Sequence, residues 1–270
     1  MNYLSANKRV LFILTIILLL FQNCKKTPIH QNNSYELTFN EDFLEPALDT
    51  NIWDTHWDQG IATNEDNQQL FIDSAFVIQD GILHIMAKRD TIIGIVHDAS
   101  YNYIHKEFYL TSGIMNTAKS FAQQFGYFEI RCKVPYGKSF WPAFWMMPYA
   151  KWPPEIAVFA ISGEHPEGLH MTNHFTDKNG KTDQVSTTID GPDLSRDFHV
   201  YAIEWTPTEL IWYLDNVEVF RTNSGIPQER MYLIVNLSIG GGPGYGQPDQ
   251  TTPLPNSMDI DYIRVYQKKK

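Results

Sequence analysis

Apolar and polar residues alternate with a period of two along much of the chain after residue 34. In the segment 127–134, for example, Phe128, Ile130, Cys132 and Val134 would share one face of a strand. No segment keeps a helical period, and the apolar segments are separated by turns rich in glycine and proline. The pattern therefore predicts an all-β protein, and it predicts that Cys132 is a buried core residue rather than a nucleophile.

The alternation predicts strands that continue to residue 266. We predict strands over 35–43, 75–78, 82–87, 126–134, 140–147, 155–161, 169–175, 198–205, 210–214, 217–220, 231–238 and 259–266. The two strands around Asp215-Asn216 form a hairpin with a two-residue turn. Many short strands without alternating helices indicate a sandwich or jelly roll. We expect one such domain over 35–268.

The first 24 residues have the pattern of an export signal. Lys8 and Arg9 precede an uninterrupted apolar run over 10–21, which is short for a bilayer span. Cys24 ends this segment, and a polar linker over 25–34 follows it. We therefore expect a bacterial lipoprotein signal with Cys24 as the lipidated residue, and a location at the cell envelope or outside the cell. A signal peptide cleaved elsewhere and an uncleaved anchor are the alternatives.

Composition and charge argue against some classes of binding partner. The chain has 31 acidic and 21 basic residues and a formal net charge of −10, which disfavours nucleic acid and a polybasic membrane surface. Contact with a membrane is expected only through the N-terminal lipid. Aromatic residues make up 14 % of the chain, and they supply the flat apolar faces that a sugar-binding cleft needs. We expect a monomer.

Nine sequence motifs run through the chain between about residue 37 and residue 266. In chain order they are Glu41-Asp-Phe43, Leu48-Asp49 with Trp53, Asp80-Gly81-Ile82-Leu83, Tyr109-Leu-Thr-Ser-Gly113, Phe125-Gly-Tyr-Phe-Glu129, Trp141-Pro-Ala-Phe-Trp-Met146, Trp152-Pro-Pro-Glu155-Ile156, Tyr201-Ala-Ile-Glu-Trp205 and Met258-Asp-Ile-Asp-Tyr-Ile-Arg-Val-Tyr266. With them the chain resembles glycoside hydrolase family 16, in particular its laminarinase-like branch. The resemblance implies a curved β-jelly-roll sandwich of the concanavalin A type, with a cleft on its concave sheet and a retaining endo-β-glycanase mechanism.

The resemblance also implies a catalytic motif, from which this chain departs. In this branch the motif is Glu-x-Asp-x-x-Glu on one strand, where a bulge brings the last position into line with the first two. Here Glu155 holds the nucleophile position, Ala157 replaces the helper Asp, and Ala160 replaces the general acid/base. A methyl group cannot protonate a glycosidic oxygen, and general acid–base catalysis contributes about 10²- to 10⁴-fold. We therefore expect a binding protein with little or no hydrolysis.

Two other interpretations of this motif remain open. One is an active retaining endo-β-glycosidase that recruits a substitute acid, for which Glu164 and His174 are the candidates. The other is an alanine variant of an active parent enzyme, because replacement of two carboxylates by alanine would leave this sequence.

The resemblance implies a cleft lined by Trp141, Trp145, Trp152 and Asn236. His174, which shares one side of a strand with His170, is a further candidate for hydrogen bonding to the sugar. Indole faces cover the apolar faces of sugar rings, and polar side chains pair with their hydroxyls. The expected ligand is a polysaccharide, with β-1,3-glucan of the laminarin type favoured and an algal galactan as the alternative.

Some of the tryptophans can also be interpreted as residues of the hydrophobic core. Trp145 is the candidate most open to a core position, because Pro142 separates it from Trp141 and can break the register of the strand. Trp205 and Trp212 are assigned to the core.

The histidines and three further residues raise the question of a metal. His170 and His174 would share one side of a strand, but a zinc site needs a third ligand, so hydrogen bonding to sugar or a structural role is preferred. Asp261, with Gly81 and Asp42, resembles the structural calcium site that some family members carry. No cofactor is expected for catalysis.

Overall fold

The computed structural model describes residues 34–56, 68–97, 100, 102–240 and 246–269. Two β-sheets pack face to face, and a short 3-10 helix spans Asp73–Ala75. The strands are β1 (Tyr35–Glu41), β2 (Leu70–Phe71), β3 (Phe76–Gln79), β4 (Ile82–His97), β5 (Tyr103–Ser112), β6 (Ile114–Asn116), β7 (Gly126–Lys133), β8 (Phe140–Pro148), β9 (Glu155–Ile161), β10 (Gly168–Thr176), β11 (Thr182–Asp190), β12 (His199–Trp205), β13 (Leu210–Leu214), β14 (Val217–Thr222), β15 (Met231–Ile239) and β16 (Asn256–Lys268). The predicted all-β sandwich is confirmed.

The predicted N-terminal segments fall largely outside this description. The signal over 1–24, with Cys24, and all but the last residue of the linker over 25–34 are not among the described residues. Within the described residues, the strands are joined without any helix of the length and hydrophobicity that a bilayer span requires.

The two sheets differ in size. The larger has ten strands, in the order β14-β13-β12-β7-β16-β4-β5-β2, with β1 paired to β16 and β3 to β4. The smaller has six strands, in the order β11-β10-β9-β8-β15-β6, so β9 and β8 lie at its centre. All pairings in the smaller sheet are antiparallel, which lets neighbouring strands follow each other through short turns.

The core lies between the sheets. Alternate residues of β7, among them Phe128, Ile130 and Cys132, are fully buried in it, and Trp205 and Trp212 are 1 % and 0 % exposed. The predictions that Cys132 and both tryptophans belong to the core are confirmed. Both of these indole N–H groups have an acceptor, because Trp205 donates to the Pro227 carbonyl at 3.1 Å and Trp212 to the Ala157 carbonyl at 3.0 Å.

Candidate functional site

The site is built on the face of the smaller sheet that turns away from the core. We call this the open face; on it lie Trp141, Trp145 and Met147 of β8, Glu155, Ala157 and Ala160 of β9, His170, Thr172 and His174 of β10, and Tyr232, Asn236 and Ser238 of β15. Their sequence neighbours point the other way, as Ile156 and Met171 do into the core. Alternation along each strand thus separates the residues of the open face from those of the core.

A β-bulge in β9 aligns the three motif positions. Phe159 pairs with Phe144 on β8, and the next pair is Ala157 with Trp145, so Val158 is the extra residue. The register with β10 shifts at the same place. Because one residue is inserted, Ala160 returns to the face that already carries Glu155 and Ala157. The predicted bulge is therefore present.

Glu155 is held by an indole and lies beside an imidazole. Trp152 donates its Nε1 hydrogen to Oε2 of Glu155 at 2.8 Å, and Nε2 of His174 lies 3.8 Å from Oε1. Burial raises the pKa of the Glu155 carboxyl, and the hydrogen bond from Trp152 lowers it in part. The indole of Trp152 also packs on His174, with ring centroids 5.5 Å apart.

The two histidines line the neighbouring strand. His170 pairs with Ala160 and His174 with Glu155, so both lie on the open face, as predicted. His170 hydrogen-bonds through both ring nitrogens, to Oγ1 of Thr188 at 2.8 Å and to Oγ1 of Thr172 at 2.9 Å. Burial lowers the pKa of both imidazoles, so they are neutral near pH 7 and can hydrogen-bond as donor and acceptor.

Trp141, Trp145 and Asn236 also lie on the open face. Trp145 donates its indole N–H to Oδ1 of Asn236 at 2.9 Å, and Asn236 donates to Oγ of Ser238 at 3.0 Å. Trp145 lies on the open face and not between the two sheets, although its ring also packs on the buried cluster of Phe71, Ile114 and Ile234. The ladder between β8 and β15 continues past Pro142 without a register shift. Proline has no backbone N–H, so it leaves the register of an antiparallel ladder unchanged at a position where the neighbouring strand would not accept a hydrogen bond from it.

The residues of the predicted calcium site are engaged elsewhere. Asp261 is ion-paired with Arg131, and Asp42 with Arg264 at 2.7 Å. Gly81 occupies a turn at a φ of +74°. Among the described residues, no three His, Cys, Asp or Glu side chains form a group that could hold a metal ion. Since two arginines already neutralise the carboxylates, the donor set does not fit a cation as it stands, and the calcium site stays a prediction.

The sequence did not identify Thr172, Thr188 or Tyr232 as residues of the site. Thr172 and Thr188 fix the ring of His170, and Tyr232 lies across from Met147. The signal for Tyr232 is its position four residues before Asn236, on the same side of a regular strand. The signal for Thr188 is the number of β-branched residues in β11, since such residues favour strands.

The two packed sheets define a β-sandwich of the jelly-roll type, with one sheet that carries aromatic and polar side chains on its outer face. The family model described as Glycosyl hydrolases family 16 matches residues 50–264. The chain belongs to this family, whose characterised relatives include endo-β-1,3(4)-glucanases.

Three similar proteins show the range of the relatives. Endo-1,3-1,4-beta-glycanase EglC of Rhizobium meliloti is 30 % identical over 92 % of this chain, which spans only 57 % of that relative. The laminarinase catalytic domain of Thermotoga maritima is 27 % identical, with a TM-score of 0.73 over 88 % of this chain and 100 % of that domain. Beta-1,3-glucan-binding protein of Penaeus monodon is 24 % identical over 50 % of this chain and 48 % of its own length.

Proposed function

We propose that this protein binds a β-glycan across the open face and hydrolyses it slowly or not at all. The observation that carries the proposal is the alignment of Glu155 with two methyl groups, those of Ala157 and Ala160, on one side of β9. A retaining glycosidase needs two carboxyl groups about 5 Å apart, one as nucleophile and one as acid/base. Here the second carboxyl group is replaced by a methyl group.

The candidate substitute acids are poorly suited to the task. An acid must carry its proton at the working pH, but burial lowers the pKa of His170 and His174, so both are neutral there. Glu164 is exposed in the turn after β9, outside the strand that carries Glu155. The interpretation as an active endo-β-glycosidase therefore becomes one outcome of the test below.

Binding does not depend on the missing carboxylates. The open face retains indole rings, the amide of Asn236 and the imidazole of His174, and groups of these kinds bind the apolar faces and the hydroxyls of sugars. The relatives named above act on or bind β-glucans, by their names, and one is a glucan-binding protein. We favour β-1,3-glucan as the ligand, with galactan as the alternative, and we propose a monomer.

The proposal includes the location. Export followed by lipidation of Cys24 would place the glycan-binding domain at the outside of a membrane, tethered by the linker. Mass spectrometry of the protein from a membrane fraction tests this, because a diacylglyceryl group on Cys24 as the first residue is expected.

Two assays on the same polymers test the function. Affinity electrophoresis through gels with laminarin, mixed-linkage glucan or agar-type galactan measures binding, and reducing-end release measures hydrolysis. We expect retarded migration in laminarin without release of reducing ends. Asn236→Ala should weaken the retardation, because it removes both the acceptor of Trp145 and a polar group of the open face.

Release of reducing ends at an ordinary glycanase rate would contradict the proposal. If Glu155→Gln abolished that release, the protein would be an active enzyme with a substitute acid. Absence of retardation in all three polymers would exclude the binding function.

A further inference from the structure

The cross-strand row through Glu155 reaches an aromatic ring at its far end. His174 on β10 pairs with Glu155, and Met147 on β8 pairs with Tyr232 on β15. Met147 follows the last residue of β8 that pairs with β9, so it lies beside Glu155. The row therefore runs from His174 through Glu155 and Met147 to Tyr232.

Each end of this row carries a second, more exposed ring. Trp152, 49 % exposed, packs on His174 and belongs to the predicted binding residues. Tyr149, 60 % exposed, packs on Tyr232 with ring centroids 5.2 Å apart and an interplanar angle of 37°. The hydroxyl of Tyr149 donates to the Ala118 carbonyl at 2.7 Å, which holds the exposed ring in place.

The Tyr149–Tyr232 pair is continuous with the rest of the open face. Tyr232 packs together with Met147 and Trp145 against one apolar cluster formed by Phe71, Ile114 and Ile234. An apolar strip thus extends from the exposed ring of Tyr149 to the indole whose N–H is bonded to Asn236. Held aromatic rings next to hydrogen-bonding groups form the surface that covers the apolar face of a sugar ring.

The two aromatic platforms are too far apart to hold the same sugar. Between β10 and β15 lie β9 and β8, so three strand spacings, about 14 Å, separate His174 from Tyr232. A single sugar ring cannot span that distance. A ligand that contacts both platforms is therefore a chain of several units that crosses the sheet above Glu155.

We propose that the Tyr149–Tyr232 pair binds a sugar unit of the glycan chain whose other units lie over Glu155 and Trp152. This inference rests on the proposed function, and it defines the ligand further as an uncharged β-linked chain of at least about three to four units. No cation lies among the side chains that form the two platforms, in keeping with an uncharged sugar.

Calorimetric titration with laminari-oligosaccharides, from the disaccharide to the hexasaccharide, tests the inference. Tyr149→Ala should weaken binding of the hexasaccharide by about three- to tenfold, the range expected for one aromatic contact, and leave the disaccharide unchanged. Tyr149→Phe keeps the ring packed on Tyr232 and loses only the hydrogen bond to Ala118, so its affinity should lie closer to that of the parent than to that of Tyr149→Ala. Tyr109→Ala, which removes a tyrosine of similar exposure from β5 of the larger sheet, is the matched control.

The outcomes separate the two proposals. Equal affinity of the parent and Tyr149→Ala for every length, with binding still lost in Trp152→Ala, would overturn the platform and leave the proposed function standing. Failure of the parent to bind any of the oligosaccharides or laminarin would overturn both. Equal weakening by Tyr149→Ala and Tyr109→Ala would show a general loss of folding, which would also overturn the assignment.

Discussion

Among single residues, two buried carboxyl groups differ in what surrounds them. Glu155 lies on the open face, where an indole N–H bonds one of its oxygens. Glu129 lies on β7 in the larger sheet and is 1 % exposed, with Arg264 on the neighbouring strand and the hydroxyl of Tyr266 at 3.4 Å. Burial raises the pKa of Glu129 to about 7, although Arg264 and Tyr266 both lower it. The position of Glu129 therefore links folding to pH.

The contribution of Glu129 to stability should fall as the pH rises from about 4.5 to about 7, because Glu129 binds its proton more tightly in the folded state. The effect reaches up to roughly 3 kcal/mol when both states are ionised above pH 7. Glu129→Gln should flatten this part of the profile. Urea unfolding at intervals between pH 5 and pH 8 measures it, with Glu36→Gln on the exposed start of β1 as control. A profile unchanged by Glu129→Gln would contradict the link.

At the scale of elements, β9 positions the three residues on which the proposed function depends. Its bulge places three side chains in line, and its central carbonyl, that of Ala157, accepts a hydrogen bond from Trp212 in the opposite sheet. Within its sheet, β9 is thus held by the neighbouring strands β8 and β10, and on its core side it is held by the indole of Trp212. A strand held in this way keeps its geometry when the side chains on its open face change.

Ala157→Asp with Ala160→Glu should create an endo-β-glycanase, because both new carboxyl groups would stand on the face that carries Glu155. The charge of Glu155 would raise the pKa of the new glutamic acid, which favours its role as proton donor. Ala160→Glu alone should recover part of the activity. Reducing-end assays on laminarin and galactan, with product anomers followed by NMR, measure the gain. A folded double variant as inactive as the parent would show that the loss extends beyond these two positions.

Trp212→Phe should weaken both stability and glycan binding. The variant keeps an aromatic ring but leaves the Ala157 carbonyl without its donor, at a cost of about 1–3 kcal/mol. Trp205→Phe loses a similar bond, to the Pro227 carbonyl, but this bond does not involve β9. Urea unfolding should show comparable losses for the two variants, whereas affinity electrophoresis should show weaker binding only for Trp212→Phe. Equal binding by both variants would mean that the indole does not support the site.

The sequence predicted best the short, mostly apolar strands that lie between turn residues. The bounds of β9 and β13 agree with the prediction, and the three motif positions share a face as expected. The second half of β4 and all of β5 were missed, because exposed residues such as Lys88 and Asp90 interrupt the apolar pattern where the ladder shifts register. A strand exposed on one side and short of apolar neighbours gives little periodic signal.

The sequence predicted only the site residues that the resemblance or the spacing of the histidines indicated. Trp152 and Asn236 were found through the resemblance and His174 through its spacing from His170, and the structure brings all three to one face of the smaller sheet. The Tyr149–Tyr232 pair was missed because Tyr149 lies in a loop, where no period predicts its direction. Trp145 was predicted in the cleft with a core position as the alternative, because the sequence does not show whether Pro142 shifts the register; the ladder between β8 and β15 continues past Pro142 without a shift.

At the scale of the whole molecule, the net charge is negative, whereas the side chains of the open face are mainly uncharged. The chain has a formal net charge of −10, while the open face is lined mainly by aromatic rings, amides and neutral imidazoles. A negative molecule repels polyanions at long range, but a neutral glycan does not respond to that field. The molecule as a whole therefore favours uncharged polymers.

Binding of laminarin should change by less than about twofold between about 50 mM and 500 mM NaCl, since salt screens only charged partners. Under the same conditions, any retention by a sulfated galactan should increase with salt as repulsion is screened. Calorimetric titration at both salt concentrations measures the two dependences, with dextran as the non-binding control. A steep fall in laminarin affinity with added salt would contradict the neutral recognition surface.

The pairing of β1 with β16 has a consequence for how this domain can be built into larger chains. Tyr35 lies opposite Lys268, so the first and last strands of the sandwich begin and end side by side. A domain with adjacent ends can be inserted at a single point of another polypeptide, and its ends can be joined by a short bridge. Circular permutation would then move the chain break to the exposed β10–β11 turn at 177–181 and leave the β1–β16 ladder continuous.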